Sequence, residues 1–196
     1  MLSDIRPAIV STLLFTLLLG LGYPLAITGI AQLAFPHQAG GSLVTDAKGQ
    51  VIGSELLAQA FAADQYLHPR PSAAGNGYDP TSSGGSNLGP LNPALATRIA
   101  GDAAALRKST GHLEIPDDAI TTSASGLDPD ISPAYALLQA DRIAKARGAS
   151  VDAVRALISQ HIQGQFLGFI GQPHVNVLMT NVALDAAFPK GPSKAA

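Results

Sequence analysis

The chain has 196 residues, of which 46% are hydrophobic and 13% are charged, and its formal net charge is −2. This composition is too apolar for a disordered protein, and no stretch gathers enough Lys and Arg to bind nucleic acid. The absence of cysteine excludes disulfides, thiol nucleophiles and zinc sites built on thiolates.

The first predicted element is an apolar segment, residues 7–35, that contains no charged residue. It exceeds the roughly 20 residues that cross a bilayer, so we predict one transmembrane helix with a kink at Pro24. The alternative is a cleaved signal peptide, whose hydrophobic region usually spans about 7–15 residues. Arg6, which precedes the segment, favours a cytoplasmic N-terminus. Gly22 and Ala26 are predicted to form a packing face for another helix, although glycine is also simply common in membrane helices.

We predict that residues 1–36 form the N-terminal segment with its membrane helix and that residues 37–196 form one α+β (mixed α/β) domain. The domain should open with a hairpin that turns at residues 46–49, followed by a short helix capped by Ser54. Residues 69–93, rich in Gly, Ser, Asn and Pro, should form a long loop.

Three further helices and one strand are predicted after this loop. The helices begin after Asn92, Ser132 and Ser150, and the second of them ends at Gly148. Apolar alternation predicts a strand over residues 175–179, with Val182 and Leu184 continuing the apolar run.

The glycine-rich loop at residues 82–89 could cradle a phosphate with its backbone N–H groups, but the lysine of a P-loop is missing. The alternative is a tight surface loop held by Ser and Asn. Ser86 lacks the spacing of a nucleophile elbow, so no catalytic residue is predicted. The histidines never fall at i, i+4 spacing, so no metal site is predicted. Acidic residues between positions 114 and 130 form either a solvated face or a region that concentrates cations.

Six motifs occur in a fixed order along the chain: Arg6-Pro7-Ala8, Gly22-Tyr23-Pro24, Arg70-Pro71-Ser72-Ala73, Ser83-Gly84-Gly85-Ser86-Asn87-Leu88-Gly89-Pro90, Ser123-Ala124-Ser125-Gly126-Leu127-Asp128-Pro129 and Val175-Asn176-Val177-Leu178. In this combination the chain resembles the C-subunit (KdpC) family of the Kdp-type potassium-transporting ATPase. The resemblance covers nearly the whole chain, from Arg6 to about Asp185.

The resemblance implies a single-span accessory subunit of a high-affinity, ATP-driven potassium-uptake complex in the bacterial inner membrane. Its implied partners are a potassium-channel-like subunit, a P-type ATPase subunit, a small accessory subunit and membrane lipid. The domain after the anchor would face the periplasm or exterior. ATP and potassium would be handled by the complex, with no cofactor bound by this chain alone. The implied tasks are assembly of the pump or, as a catalytic chaperone, raising the ATP affinity of the ATPase subunit.

Two features of the sequence fit a non-catalytic subunit. The D-K-T-G motif of P-type pumps is absent, and one helix cannot enclose an ion pathway. The resemblance marks the following residues as candidate partner or nucleotide contacts: Arg70, Ser72, Ser83, Gly84, Gly85, Ser86, Asn87, Leu88, Ser123, Ser125, Gly126, Asp128 and Asn176.

An external position of this loop argues against a nucleotide contact, because ATP is cytoplasmic. Two other classes of protein stay open from sequence: an anchored extracytoplasmic binding module and an anchored enzyme that uses Ser86 or Ser125.

Overall fold

The computed structural model describes residues 2–46 and 48–189, and the chain divides after Ile52 into two compact units. The first unit begins with a short 3₁₀ turn (Leu2–Asp4) and continues as one helical segment, Ile5–Ala34. At 1.5 Å per residue its 30 residues span about 45 Å, more than the roughly 30 Å hydrocarbon core of a bilayer. None of its residues is buried. The segment is therefore long and apolar enough to cross a membrane.

The helical segment changes its hydrogen-bond pattern just before Pro24. Helix α1 (Ile5–Leu17) passes through a π-helical turn (Leu18–Gly22) into α2 (Tyr23–Ala34). Proline has no N–H to donate, and its ring clashes with the carbonyl four residues earlier. The helical turn there contains one extra residue, so the amide of Tyr23 donates to the carbonyl of Leu18, five residues earlier. The sequence predicted a kink at Pro24, and the structure has a π-helical turn that ends two residues before this proline.

After a short helix α3 (Pro36–Ala39), the predicted hairpin is confirmed as β1 (Leu43–Thr45) and β2 (Val51–Ser54). Asp46 organises the turn, since its Oδ1 accepts hydrogen bonds from the amides of Lys48 at 2.8 Å and Gln50 at 2.9 Å.

The helix predicted after Ser54 is wrong. Ser54 ends β2, and only a single turn follows, closed by the amide of Leu57 on the Ser54 carbonyl at 3.2 Å. The amide of Ala58 then donates to the carbonyl of Leu127 at 3.0 Å. This long-range bond replaces the intrahelical bond that a continuing helix would need. The described chain has no helix or strand from here to Pro93, in agreement with the predicted long loop.

The three predicted helices after the loop are confirmed, and one of them is divided. They are α4 (Pro93–Thr110), then α5 (Pro133–Leu138) with α6 (Ala140–Arg147), and α7 (Val151–Gln160). The side chains of Asn92, Ser132 and Ser150 each accept an amide of the first turn, as good N-caps do. Gln139 separates α5 from α6, and Gly148 ends α6 in the left-handed region. A 3₁₀ turn (Asp117–Ala119) lies between α4 and α5.

The strand predicted over residues 175–179 is wrong beyond Asn176. Strand β5 (His174–Asn176) is followed at once by helix α8 (Val177–Ala187). The side chain of Asn176 accepts the amide of Met179 at 3.1 Å and so caps the helix. Val177, Thr180, Asn181 and Leu184 are all buried, which is the spacing of one helix face.

Strand β5 is the centre of a three-stranded antiparallel sheet. It pairs with β3 (Asp130–Ile131) on one side and with β4 (Ile162–Gln163) on the other. The core contains fully buried side chains from the sheet and from helices α6, α7 and α8, among them Ile143, Val154, Ile158, Val175 and Leu184. Burial of each such side chain contributes roughly 1.5–3 kcal/mol.

Buried side chains hold the irregular segment 64–68 against this core. Asn181 accepts the amide of Leu67 at 2.7 Å and donates to its carbonyl at 3.1 Å. Gln139 does the same for His68, at 2.8 and 3.1 Å. Arg147 donates to the carbonyl of Gln65 at 2.8 Å. These bonds satisfy backbone groups that would otherwise be buried without a partner, and they place the start of the long loop.

Candidate functional site

Segments that are far apart in the chain form one polar surface in the second unit. We call this surface the polar loop cluster, and it comprises residues 70–73, 83–88 and 123–128. Ser72 is at its centre: its hydroxyl donates to the carbonyl of Gly126 at 2.6 Å and accepts the amides of Ala74 and Tyr78 at 3.1 and 2.9 Å. The amide of Ser123, which is buried, donates to the carbonyl of Pro71. Two of the three segments are thereby fixed to each other.

The glycine-rich segment joins the cluster through Ser125. Its carbonyl accepts both the hydroxyl of Ser83 and the amide of Gly84, each at 2.9 Å. The hydroxyl of Ser125 in turn accepts the amide of Leu127 at 3.1 Å.

Two glycines in the cluster are required by close backbone contact. A Cβ on Gly85 would lie 2.9 Å from the carbonyl oxygen of Ala124. Gly126 has φ +69°, and a Cβ there would lie 2.6 Å from the amide nitrogen of Ala74. Gly84, by contrast, has open space where its Cβ would be. The segments of the cluster therefore lie closer together at these two glycines than a residue with a side chain would allow.

An ion pair crosses the cluster between Arg70 and Asp128. Their Nη1 and Oδ2 atoms are 3.0 Å apart, and the side chains are 26% and 33% exposed. Tyr78 donates its hydroxyl to the carbonyl of Arg70 at 2.8 Å, and burial raises the pKa of that hydroxyl. The Nε of Arg70 is buried and has no hydrogen-bond partner within the described residues.

A shallow cavity of about 570 Å³ lies beside this ion pair. The residues that line it include Arg70, Ser83, Ser125 and Asp128, together with Leu56, Leu57 and Pro129. The cavity is therefore lined by one cation, Arg70, and one anion, Asp128, which neutralise each other.

Asn176 lies next to the cluster, and its side chain joins neighbouring segments by hydrogen bonds. Its Nδ2 donates to the carbonyl of Glu55 at 2.8 Å and to Oδ1 of Asp130 at 3.1 Å, while the residue is 8% exposed. Asp130 connects it to the cluster, because the Asp130 amide donates to Asp128 at 3.2 Å. Burial raises the pKa of Asp130, an effect that the nearby His174 partly offsets.

The outward part of the cluster consists of Ser86, Asn87 and Leu88. Ser86 and Leu88 are half-buried, and Asn87 is exposed with φ +52°, a conformation that asparagine tolerates better than most residues. In the part of the chain that the structure describes, neither the Ser86 nor the Ser125 hydroxyl is hydrogen-bonded to a histidine. The nucleophile and base of a serine enzyme are therefore not paired here.

The acidic residues of the 114–130 region have different roles. Asp118 accepts the amide and hydroxyl of Ser132 at 2.6 and 2.8 Å, and so supports the start of α5. Asp128 and Asp130 are bonded as described above, and Asp117 is exposed. No group of three or more His, Asp or Glu residues able to hold a metal ion occurs in residues 2–46 and 48–189.

In the first unit, Gly22 and Ala26 lie on the helical segment with exposed surfaces. Gly22 ends the π-helical turn and Ala26 lies in α2. A Cβ on Gly22 would approach only the Leu17 carbonyl, at 3.6 Å.

Sequence reasoning missed a second cavity of about 570 Å³, which is lined by residues of α4, α5 and α6 and by Asp64 and His68. Arg142 is held there by the carbonyls of Asp64 and Tyr66 at 2.6 and 3.0 Å. Burial and the Arg142 charge lower the pKa of His68, and burial raises the pKa of Tyr135 to about 12. No motif marks these residues, since they come from separate elements.

Comparison with known proteins gives one family. The family model described as KdpC, K⁺-transporting ATPase c chain, matches residues 5–186. A protein of Caulobacter sp. strain K31 named potassium-transporting ATPase KdpC subunit is 64% identical over 96% of both chains. Proteins with the same name are 58% identical in Beijerinckia indica subsp. indica (96% of both chains) and 52% identical in Acidobacterium capsulatum (94% of this chain and 98% of the relative).

Proposed function

Because this chain belongs to the KdpC family, the c chain of K⁺-transporting ATPases, we propose that it is a non-catalytic accessory subunit that promotes assembly of a potassium-uptake complex. Its partners in this proposal are the channel-like subunit, the P-type ATPase subunit and the small accessory subunit that the family resemblance implies. The observation that supports a contact role is the polar loop cluster. Its segments are hydrogen-bonded to one another, while Asn87 is exposed and its neighbours Ser86 and Leu88 are half-buried.

A preformed surface of this kind suits stable association. Binding requires little ordering of the loops, because Ser72 and Ser125 already hold them together. The Arg70–Asp128 pair leaves no net charge in the adjacent cavity, so we propose that the outward residues meet an uncharged, hydrogen-bonding partner surface.

The membrane arrangement in this proposal follows from the helix Ile5–Ala34. Residues 1–36 hold the chain in the bacterial inner membrane with the N-terminus in the cytoplasm, and residues 37–196 form the domain outside. Gly22 and Ala26 provide a smooth face for a partner helix. Mass measurement of the purified protein tests the anchor, since removal of a signal peptide would leave a chain without this helix.

In this arrangement the polar loop cluster does not meet cytoplasmic ATP. An increase in the ATP affinity of the ATPase subunit would then arise indirectly, from the way this chain holds its partners. Nucleotide binding to the isolated full-length chain is the corresponding measurement. Saturable binding that is lost when Ser83 and Ser125 are replaced by Ala would contradict the assembly role of the cluster.

The assembly proposal is tested by a matched pair of glycine substitutions. Gly85→Val places a side chain against the Ala124 carbonyl, whereas Gly84→Val enters open space. We expect Gly85→Val to reduce the amount of partner subunits that copurify with tagged chain in mild detergent, and Gly84→Val to leave it unchanged.

A third variant separates the outer surface from the fold of the cluster. Asn87→Asp keeps a residue that tolerates positive φ and adds a charge at an exposed position. It should weaken copurification without changing the unfolding transition. Normal assembly and potassium uptake with both Gly85→Val and Asn87→Asp would show that the cluster is only a connection between elements.

A further inference from the structure

The connection between β4 and β5 exposes a compact group of large apolar side chains. Phe166, Leu167, Phe169 and Ile170 are 69%, 69%, 73% and 49% exposed. We call these four residues the apolar tip. No charged residue occurs in the whole stretch 162–173. Clustered apolar exposure of this kind marks an interaction surface.

The apolar tip has a defined backbone structure. Phe166 and Ile170 exchange two backbone hydrogen bonds, each 2.9 Å long. The amides of Gly168 and Phe169 donate to the carbonyls of Gln165 and Phe166 at 3.1 and 3.3 Å. The side chain of Gln165 also donates to the carbonyl of Gly171 at 2.9 Å. The four side chains are therefore presented by a closed turn.

Leu167 occupies a backbone conformation that is unfavourable for leucine. Its φ is +54°, where Gly or Asn is the usual residue. Strained residues of this kind cluster at functional sites. The Leu167 side chain is 69% exposed, so packing within the chain does not explain the choice of residue.

The backbone and side chains of the apolar tip suit the interfacial layer of a bilayer. Inside a bilayer, backbone N–H groups must be satisfied by the protein itself, because lipid tails offer no acceptors. The amides of Phe166, Gly168, Phe169 and Ile170 meet this condition within the tip, whereas the amide of Leu167 has no partner among the described residues and is hydrated only at interfacial depth. Residues 166–171 also have no polar side chain that could bond to the rim of a protein groove.

We propose that the apolar tip inserts into the interfacial layer of the membrane in which the chain is anchored. This inference rests on the proposed anchor, since covalent connection to a membrane helix would keep the domain at the bilayer surface. The tip would be a second point of attachment that limits rotation of the domain. Since the tip is uncharged, its insertion should be insensitive to salt.

The chain contains no tryptophan, so a single substitution supplies a unique fluorescent reporter. We would reconstitute full-length Phe169→Trp in phosphatidylcholine vesicles whose acyl chains are brominated near the head groups, and compare its emission with that in unbrominated vesicles. An interfacial group lies about 5–10 Å deep, so the emission should shift to shorter wavelength and lose about half of its intensity to bromine. High salt should not reverse this loss.

Two controls make the result interpretable. Leu18→Trp lies near the middle of the helical segment and should be quenched in vesicles brominated at the acyl-chain ends, whereas Leu91→Trp, at a position 96% exposed, should not be quenched by either lipid. Quenching at position 18 without quenching at position 169 would overturn the insertion of the tip and leave the anchor intact. Absence of quenching at position 18 would instead remove the proposed anchor.

A second substitution tests the tip without unfolding it. Leu167→Asn suits the positive φ and removes one apolar side chain. Added to Phe169→Trp, it should reduce the quenching, and an undiminished signal would count against insertion. If the Phe169→Trp reporter is shielded from water only in the assembled complex and is not quenched by brominated lipid there, a protein groove is the occupant and the proposal is wrong.

Discussion

Gly126→Ala is the most direct perturbation of the polar loop cluster. Among the cluster glycines, Gly126 is the one where an added Cβ would come closest to neighbouring backbone atoms. A Cβ at this position would lie 2.6 Å from the amide nitrogen of Ala74 and 2.8 Å from the carbonyl oxygen of Gly84. Both neighbours are backbone atoms in hydrogen-bonded segments, so they cannot rotate away as a flexible side chain would. The substitution should therefore displace Ala74, which follows the 70–73 segment, and the 83–88 segment at once.

The expected loss of stability has two parts. Gly126 has φ +69°, and a non-glycine residue in this region costs roughly 1–2 kcal/mol. Forcing an extra methyl group into a filled space adds about 1–3 kcal/mol. We expect Gly126→Ala to lower the free energy of unfolding by about 2–5 kcal/mol in total.

Gly148→Ala is the matched control. Gly148 has φ +66°, nearly the same as Gly126, but its Cβ would have no neighbour within 4 Å. Gly148→Ala should lower the free energy of unfolding only by the conformational cost, about 1–2 kcal/mol. The difference between the two variants therefore measures the close contact alone.

Urea unfolding of the full-length protein in mild detergent, followed by the near-ultraviolet circular dichroism of tyrosine, gives both values. Tyr66, Tyr78 and Tyr135 lie in the second unit, so this signal reports on the domain that contains the cluster. If Gly126→Ala is no less stable than Gly148→Ala, the tight packing of the cluster is not a source of stability and the reasoning fails.

Two further predictions use the same unfolding measurement. Arg147→Leu should lower the free energy of unfolding by about 3–5 kcal/mol, because the Arg147 side chain is 1% exposed and donates to three backbone carbonyls, those of Gln65, Leu184 and Phe188. The control Arg155→Leu removes a roughly half-exposed ion pair and should lower it by at most about 1 kcal/mol. Equal losses would contradict this. The lowered pKa of His68 means that the unfolded chain takes up its proton first, so stability should fall as pH drops through 6.5 toward the folded-state pKa. His68→Gln should weaken this fall between about pH 7.5 and 5.5, and a pH profile identical to that of the unsubstituted protein would refute the role of His68.

Features that depend on composition or on neighbouring residues could be predicted from the sequence by itself. The long uncharged segment predicts a membrane helix because hydrophobic length alone decides that a segment can span a bilayer. The helix starts at Asn92, Ser132 and Ser150 were predicted for a similar reason, since a cap bonds to an amide only two or three residues away. The family was recognised from ordered motifs, and the family comparison confirms it.

The tertiary structure decided where distant groups meet. The helix predicted after Ser54 does not form because Ala58 bonds to Leu127, and the strand predicted beyond Asn176 is a helix whose inner face is buried. Local patterns do not contain such contacts, because the same apolar residues fit either period until a buried surface selects one.

The candidate site shows the same division. The motifs marked candidate contact residues, but only the fold brings Ser72 to Gly126 and Ser83 to Ser125. The cavity beside Tyr135 has no sequence signal, since its walls come from separate elements. Long-range contacts depend on how whole elements pack, and a pattern confined to a few neighbouring residues carries no information about that packing.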